Sequence, residues 1–165
     1  MAAVVRGAAV TYVALIPAAG IGSRMALKTP KQYARLAGMP VLYHAVRSLA
    51  VDPIETVFVV LAPDDGVFAE HDWREFEGRL EPLYCGGATR RDSVCNGLVA
   101  AMAAVDADDW VLVHDAARPC LPRADLDRLI EEISGDAIGG LLALPVAETV
   151  KRAARDESGA LRASA

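Results

Sequence analysis

Five short apolar runs, separated by stretches of helical periodicity, constrain this chain more than any other feature. The runs occupy residues 12–17, 56–61, 81–84, 110–114 and 139–143, and those at 12–17, 56–61 and 110–114 carry β-branched side chains. Pro40 opens an intervening segment in which Leu42, Ala45, Val46 and Leu49 fall on one helical face. Past a turn at Gly86-Gly87, Val94, Leu98, Ala101, Met102 and Val105 form a second stripe, with Asp92 or Ser93 placed to cap its start. Pro122 opens a third helix with Leu126, Leu129, Ile130 and Ile133 on its core face, ended by Ser134-Gly135. Alternation of this kind predicts an α/β fold: a Rossmann-like, mostly parallel sheet flanked by helices.

With 165 residues, 53% of them hydrophobic, the chain can bury one substantial core. Residues 1–150 read as a single domain, and the polar, weakly periodic residues 151–165 as the start of an exposed arm. No run of about 18 apolar residues is free of charge, glycine and proline, and the first ten residues lack a signal-peptide core, so a cytoplasmic protein is expected. Cys85, Cys95 and Cys120 show no paired spacing, which predicts reduced thiols with neither a disulfide framework nor a structural zinc site.

Charge is segregated along the chain. The net charge is −5, yet residues 1–51 contain no Asp or Glu and six cations: Arg6, Arg24, Lys28, Lys31, Arg35 and Arg47. A cationic segment in an acidic protein points to an anionic ligand held at one place, and the acidic balance argues against a nucleic-acid surface across the fold.

In an open α/β sheet, ligands sit beyond the carboxyl ends of the strands, which directs attention to the first strand-to-helix loop, residues 17–31. Gly20 and Gly22 let backbone N–H groups approach a phosphate chain. Arg24 adds a planar fork for phosphate oxygens and Lys31 a mobile point charge. The dinucleotide fingerprint would need glycine where Met25 stands and an acid about 20 residues later, where none occurs before Asp52, so a dehydrogenase is disfavoured. The Walker A pattern is not matched either, which disfavours a kinase or ATPase.

Four motifs then carry a resemblance. Pro17-Ala18-Ala19-Gly20-x-Gly22-x-Arg24-Met25 with Pro30-Lys31-Gln32-Tyr33, Gly86-Gly87-x-x-Arg90-x-x-Ser93-Val94, Val113-His114-Asp115-Ala116-Ala117-Arg118-Pro119, and Pro145-Val146-x-x-Thr149-x-Lys151 occur in that order. Together they resemble the cytidylyltransferases of the non-mevalonate isoprenoid pathway across residues 11–152. The resemblance implies a fold of the nucleotide-diphospho-sugar transferase type and transfer of a cytidylyl group from CTP to a sugar-alcohol phosphate.

It also implies roles. Arg24 and Lys31 would contact the triphosphate and stabilise the transition state; Ala18, Ala19, Gly20, Gly22, Gly87, Arg90 and Ser93 would hold the nucleotide. Asp115, Arg118 and Thr149 would bind substrate, with Asp115 also holding Mg²⁺ or another divalent cation. For Ser93 a helix cap, for Asp115 a helix cap, and for Arg118 a salt bridge to Asp115 are the structural alternatives. A related enzyme acting on ribitol 5-phosphate shares the four motifs, and a silent nucleotide-binding module is the alternative from another class. Family members continue past residue 165 through an arm that forms a homodimer and completes the acceptor site. The expectation is therefore that these residues bind Mg-CTP better than they turn it over.

Overall fold

The computed structural model describes residues 10–20, 30–145, 152–155 and 161–164. By contacts the chain forms two units, Met1–Arg123 and Ala124–Ala165.

The first unit is built on a four-stranded parallel sheet of β1 (Tyr12–Pro17), β4 (Ile54–Val60), β5 (Leu80–Leu83) and β6 (Trp110–Val113), in the order β5-β4-β1-β6. A two-residue hairpin, β2 (Arg35–Leu36) with β3 (Met39–Pro40), lies between β1 and β4 in sequence. The central pair is the heart of the core: Ala14, Leu15, Ile16, Val57, Val59 and Val60 are wholly buried, each larger side chain contributing about 1.5–3 kcal/mol relative to exposure. Leu15 pairs with Phe58 on one side and Val113 on the other, so all the sheet's strands run their carboxyl ends toward one edge.

Helix α1 (Val41–Leu49) buries Leu42, Ala45, Val46 and Leu49, the face its periodicity predicts. Helix α2 (Arg90–Ala101) corrects the sequence reading by one position. Its buried face is Ser93, Gly97 and Ala101, while Val94 and Leu98 are only half-buried and Met102, beyond its last residue, is exposed. The reason is proximity. A Cβ on Gly97 would lie 2.4 Å from Val60 Cγ2 and 2.9 Å from Leu15 Cδ1, so the helix meets β1 and β4 through its smallest residues. Val105 reaches the core beyond the helix, packing with Leu83 and Val111 on Val13, Phe58 and Ala101.

The cap is also different from the expected Asp92 or Ser93. Thr89 is the N-cap, in a reciprocal box: its hydroxyl accepts from Asp92 N and the Asp92 carboxylate accepts from Thr89 N, each at 3.1 Å.

The second unit contains most of α3 (Arg123–Ile133), with Leu126 and Ile133 buried. Residues 139–143, read from sequence as a strand, are not one: they have no ladder partner among the described residues, and Leu141 is 78% exposed. Apolar composition alone does not make a strand without a neighbour to pair with. Residues Arg152–Arg155 (β7) and Leu161–Ser164 (β8) pair antiparallel.

Candidate functional site

Parallel pairing brings four chain segments to the carboxyl edge of the sheet, and backbone hydrogen bonds fix each of them. Ala18 N donates to Val60 O at 2.8 Å, just past β1. Leu61 N donates to Leu83 O and Gly86 N to Leu61 O, both at 2.8 Å, which ties the turn after β5 to the end of β4. His114 N donates to Leu15 O at 3.0 Å, aligning the start of the 114–118 turn with β1.

Glycine is required where two of these segments touch. A Cβ on Gly86 would lie 2.2 Å from Ala19 Cβ and 2.7 Å from Leu61 O, so the Gly86 backbone is packed directly on the first loop. A Cβ on Gly87 would meet Asp92 Cβ at 2.5 Å. Gly87 N donates to Ser93 Oγ at 3.1 Å, and that hydroxyl donates to Thr89 O at 3.0 Å. Ser93 is therefore not the helix cap; it is a buried hydroxyl that shapes the turn preceding α2.

The charged part of the site is a carboxylate between two arginines. Asp115 Oδ1 accepts from Arg90 Nε at 2.8 Å, with Arg90 Nη2 2.7 Å away, and Asp115 Oδ2 pairs with Arg118 Nε at 2.9 Å. Partial burial is the largest influence on this carboxyl and raises its pKa, but Arg90, Arg118 and His114 together outweigh it and hold the group below the usual carboxylate range. The structural alternative for Arg118, a bridge to Asp115, is thus realised. Arg118 N also donates to Asp115 O at 3.1 Å, so Asp115 sits in a turn that ends before α3 begins. The carbonyl of Arg118 lies 2.8 Å from His114 Nε2. His114 supports the turn.

Ala18, Ala19, Gly87, Arg90, Ser93, Asp115 and Arg118 thus stand in one connected neighbourhood, with Gly20 exposed at its rim and Lys31 exposed at the far end of the first loop. Gly22, Arg24 and Thr149 lie outside the described residues.

Three residues had no structural role assigned from the sequence, although Gln32 and Tyr33 stand in the Pro30-Lys31-Gln32-Tyr33 motif. Gln32 and Tyr33 are buried beside Lys31, and Thr89 caps α2. Only Thr89 had a usable signal, the Thr89-x-x-Asp92 spacing of a capping box. Among the described residues no group of three or more His, Cys, Asp or Glu converges as a metal site, and the three cysteines are free. Asp115 is a hard oxygen donor whose two oxygens keep lone pairs beyond those used by the arginines. A single carboxylate of that kind suits Mg²⁺, which is commonly held by one or two carboxylates together with substrate phosphates.

The fold and the position of the polar cluster define an open parallel α/β protein with its site at the carboxyl ends of the strands. The family model described as IspD, 2-C-methyl-D-erythritol 4-phosphate cytidylyltransferase, matches residues 12–161. The chain belongs to that family.

The enzyme of that name from Nitrosospira multiformis is 56% identical over 144 residues, covering 86% of this chain and 62% of the relative. The one from Laribacter hongkongensis is 60% identical over 140 residues, covering 84% and 60% respectively. A crystal structure of 4-diphosphocytidyl-2C-methyl-D-erythritol synthase superposes with a TM-score of 0.75 at 33% identity, covering 94% of this chain and 72% of the other. The Francisella tularensis 2-C-methyl-D-erythritol 4-phosphate cytidylyltransferase gives a TM-score of 0.67 at 30% identity, covering 93% and 69%. The chain spans about three fifths of the length of the curated relatives it matches. No helix among the described residues is long and apolar enough to cross a membrane.

Proposed function

We propose that the protein transfers a cytidylyl group from CTP to 2-C-methyl-D-erythritol 4-phosphate, releasing diphosphate, as a cytoplasmic, Mg²⁺-dependent enzyme of isoprenoid precursor synthesis that pairs as a homodimer. The observation that carries this reading is the joining of three parts at one sheet edge: Ala18 and Ala19, the Gly87/Ser93 turn, and the Arg90–Asp115–Arg118 cluster.

The nucleophile is a phosphate monoester, largely dianionic at neutral pH because its second pKa is about 6. No general base is therefore required, which accords with the arginines and backbone donors that the site presents among the described residues. The small residues Ala18, Ala19 and Gly87, with the Ser93 hydroxyl, suit a flat base edge brought close to backbone. Arg24 and Lys31 would meet the triphosphate and offset charge that develops on the transferring phosphoryl group. Asp115 would hold Mg²⁺, which supplies charge neutralisation between carboxylate and phosphates. Arg118 and Thr149 would hold the acceptor phosphate, Arg118 as a fork released in part from Asp115.

Calorimetric titration with Mg-CTP, joined to a diphosphate-release assay with each sugar-alcohol phosphate, tests the reading. Binding of CTP is expected, with turnover preferring 2-C-methyl-D-erythritol 4-phosphate. Absence of CTP binding would refute the nucleotide assignment, and turnover with ribitol 5-phosphate alone would refute the acceptor.

A further inference from the structure

Lys31 is exposed, but the two residues that follow it are not. Among the described residues, Gln32 and Ser93 are the polar side chains that are buried, Gln32 at 6% exposure, and Ser93 is already accounted for by the turn before α2. A buried amide is costly unless it is hydrogen-bonded, and Gln32 Nε2 donates to Ala18 O at 2.6 Å. That bond joins the two sides of the first loop across a separation of 14 residues. Ala18 is itself anchored, since its N–H donates to Val60 O at the end of β4.

Tyr33 adds a second anchor in another direction. Its hydroxyl donates to Asp65 Oδ2 at 2.8 Å, while Asp65 Oδ1 accepts from Val67 N at 2.9 Å and Phe68 N at 3.0 Å. Lys31, Gln32 and Tyr33 form one 3-10 turn, closed by Tyr33 N to Pro30 O at 2.9 Å and Ala34 N to Lys31 O at 3.1 Å. Lys31 is thus the first residue of a turn whose next two side chains are fastened, one to Ala18 O just past β1 and the other to Asp65 in the loop after β4.

We infer that Gln32 is a positioning residue: by clasping Ala18 O it sets the Lys31 backbone at a fixed distance from the segment that receives the nucleotide. The inference rests on the proposed contact between Lys31 and the triphosphate. A lysine side chain has several rotatable bonds, so a fixed Cα matters more for it than for a short donor. The clasp restricts the volume the ammonium explores and so lessens what phosphate binding must order.

Dissociation constants of the 165-residue chain for CTP with Mg²⁺, and for CMP, test this in Lys31→Ala, Gln32→Met and the double variant. Gln32→Met keeps the volume and removes the donor. It is expected to weaken CTP about fivefold, and Lys31→Ala about tenfold, with the double variant no weaker than Lys31→Ala and CMP little changed throughout. Additive losses, or equal losses for CMP, overturn the clasp and leave the reading of Lys31 standing. Wild-type CTP affinity in Lys31→Ala overturns both.

If Gln32→Met does not fold, Gln32→Glu carries the test. A protonated carboxyl donates to Ala18 O and a carboxylate cannot, so CTP affinity relative to the unmodified protein should be weakened at about pH 8 and recover toward about pH 5. A ratio that stays flat across that range overturns the inference.

Discussion

Replacing Gly86 by alanine tests the contact that joins the first loop to the turn after β5. Gly86 does not carry a left-handed φ, so the cost is one of space. The new methyl carbon would begin 2.2 Å from Ala19 Cβ and 2.7 Å from Leu61 O. Neither neighbour is the end of a flexible side chain. To reach ordinary contact near 3.5 Å, the two segments must part by more than about 1 Å. Overpacking of that kind costs about 1–3 kcal/mol. Moving Gly86 also strains its N–H bond to Leu61 O, worth about 1 kcal/mol more.

A total near 2–4 kcal/mol should lower the urea midpoint by roughly 1 M or more, given a slope of about 1–3 kcal/mol per molar. CTP affinity measured by calorimetry should fall about tenfold, since Ala19 and Gly87 are displaced relative to each other. In an Ala19→Gly background the nearer of the two clashes disappears, so the penalty of Gly86→Ala should shrink by about half. An unchanged midpoint and affinity in Gly86→Ala, or an undiminished penalty in the Ala19→Gly background, would refute the close-packing argument.

Two further outcomes follow from the same geometry. Thr89→Ala removes the cap acceptor for Asp92 N and should cost about 1 kcal/mol in urea unfolding; no loss would mean that the capping box contributes nothing. Asp115 has a folded pKa below its unfolded value of about 3.9 because Arg90, Arg118 and His114 together outweigh the effect of burial. Its contribution to stability is therefore complete above the unfolded pKa and lost as pH falls through the folded one. Asp115→Asn should flatten the acid-side fall in the urea midpoint between about pH 5 and pH 2, and a fall as steep as that of the unmodified protein would contradict the ion-pair account.

Much of the architecture was legible from local pattern. The β1 strand, the buried face of α1 and the parallel α/β class each depend on a period that neighbouring residues establish for themselves. Site candidates were legible for a different reason: glycine, arginine and aspartate in fixed spacings are chemically expensive to place by chance, and four such motifs in order point to one family. That reading agrees with the family model over residues 12–161.

What the sequence determined by itself was therefore the class of fold, the family and which residues to inspect. Tertiary structure decided the contacts between segments distant in the chain. The face of α2 was misplaced by one position because apolar volume marks a core face only until a helix comes so close that glycine is needed, and that closeness is set by Leu15 and Val60. Residues 139–143 look like a strand in composition, yet a strand needs a ladder partner and none stands beside them among the described residues. The same holds at the site. Asp115 and Arg118 are visible in one motif, but Arg90 reaches Asp115 from the start of α2, in a different motif, and the amide of Gln32 finds Ala18 O across 14 residues of chain. A side chain's type is written locally. Its partner depends on where the sheet brings the other strand ends.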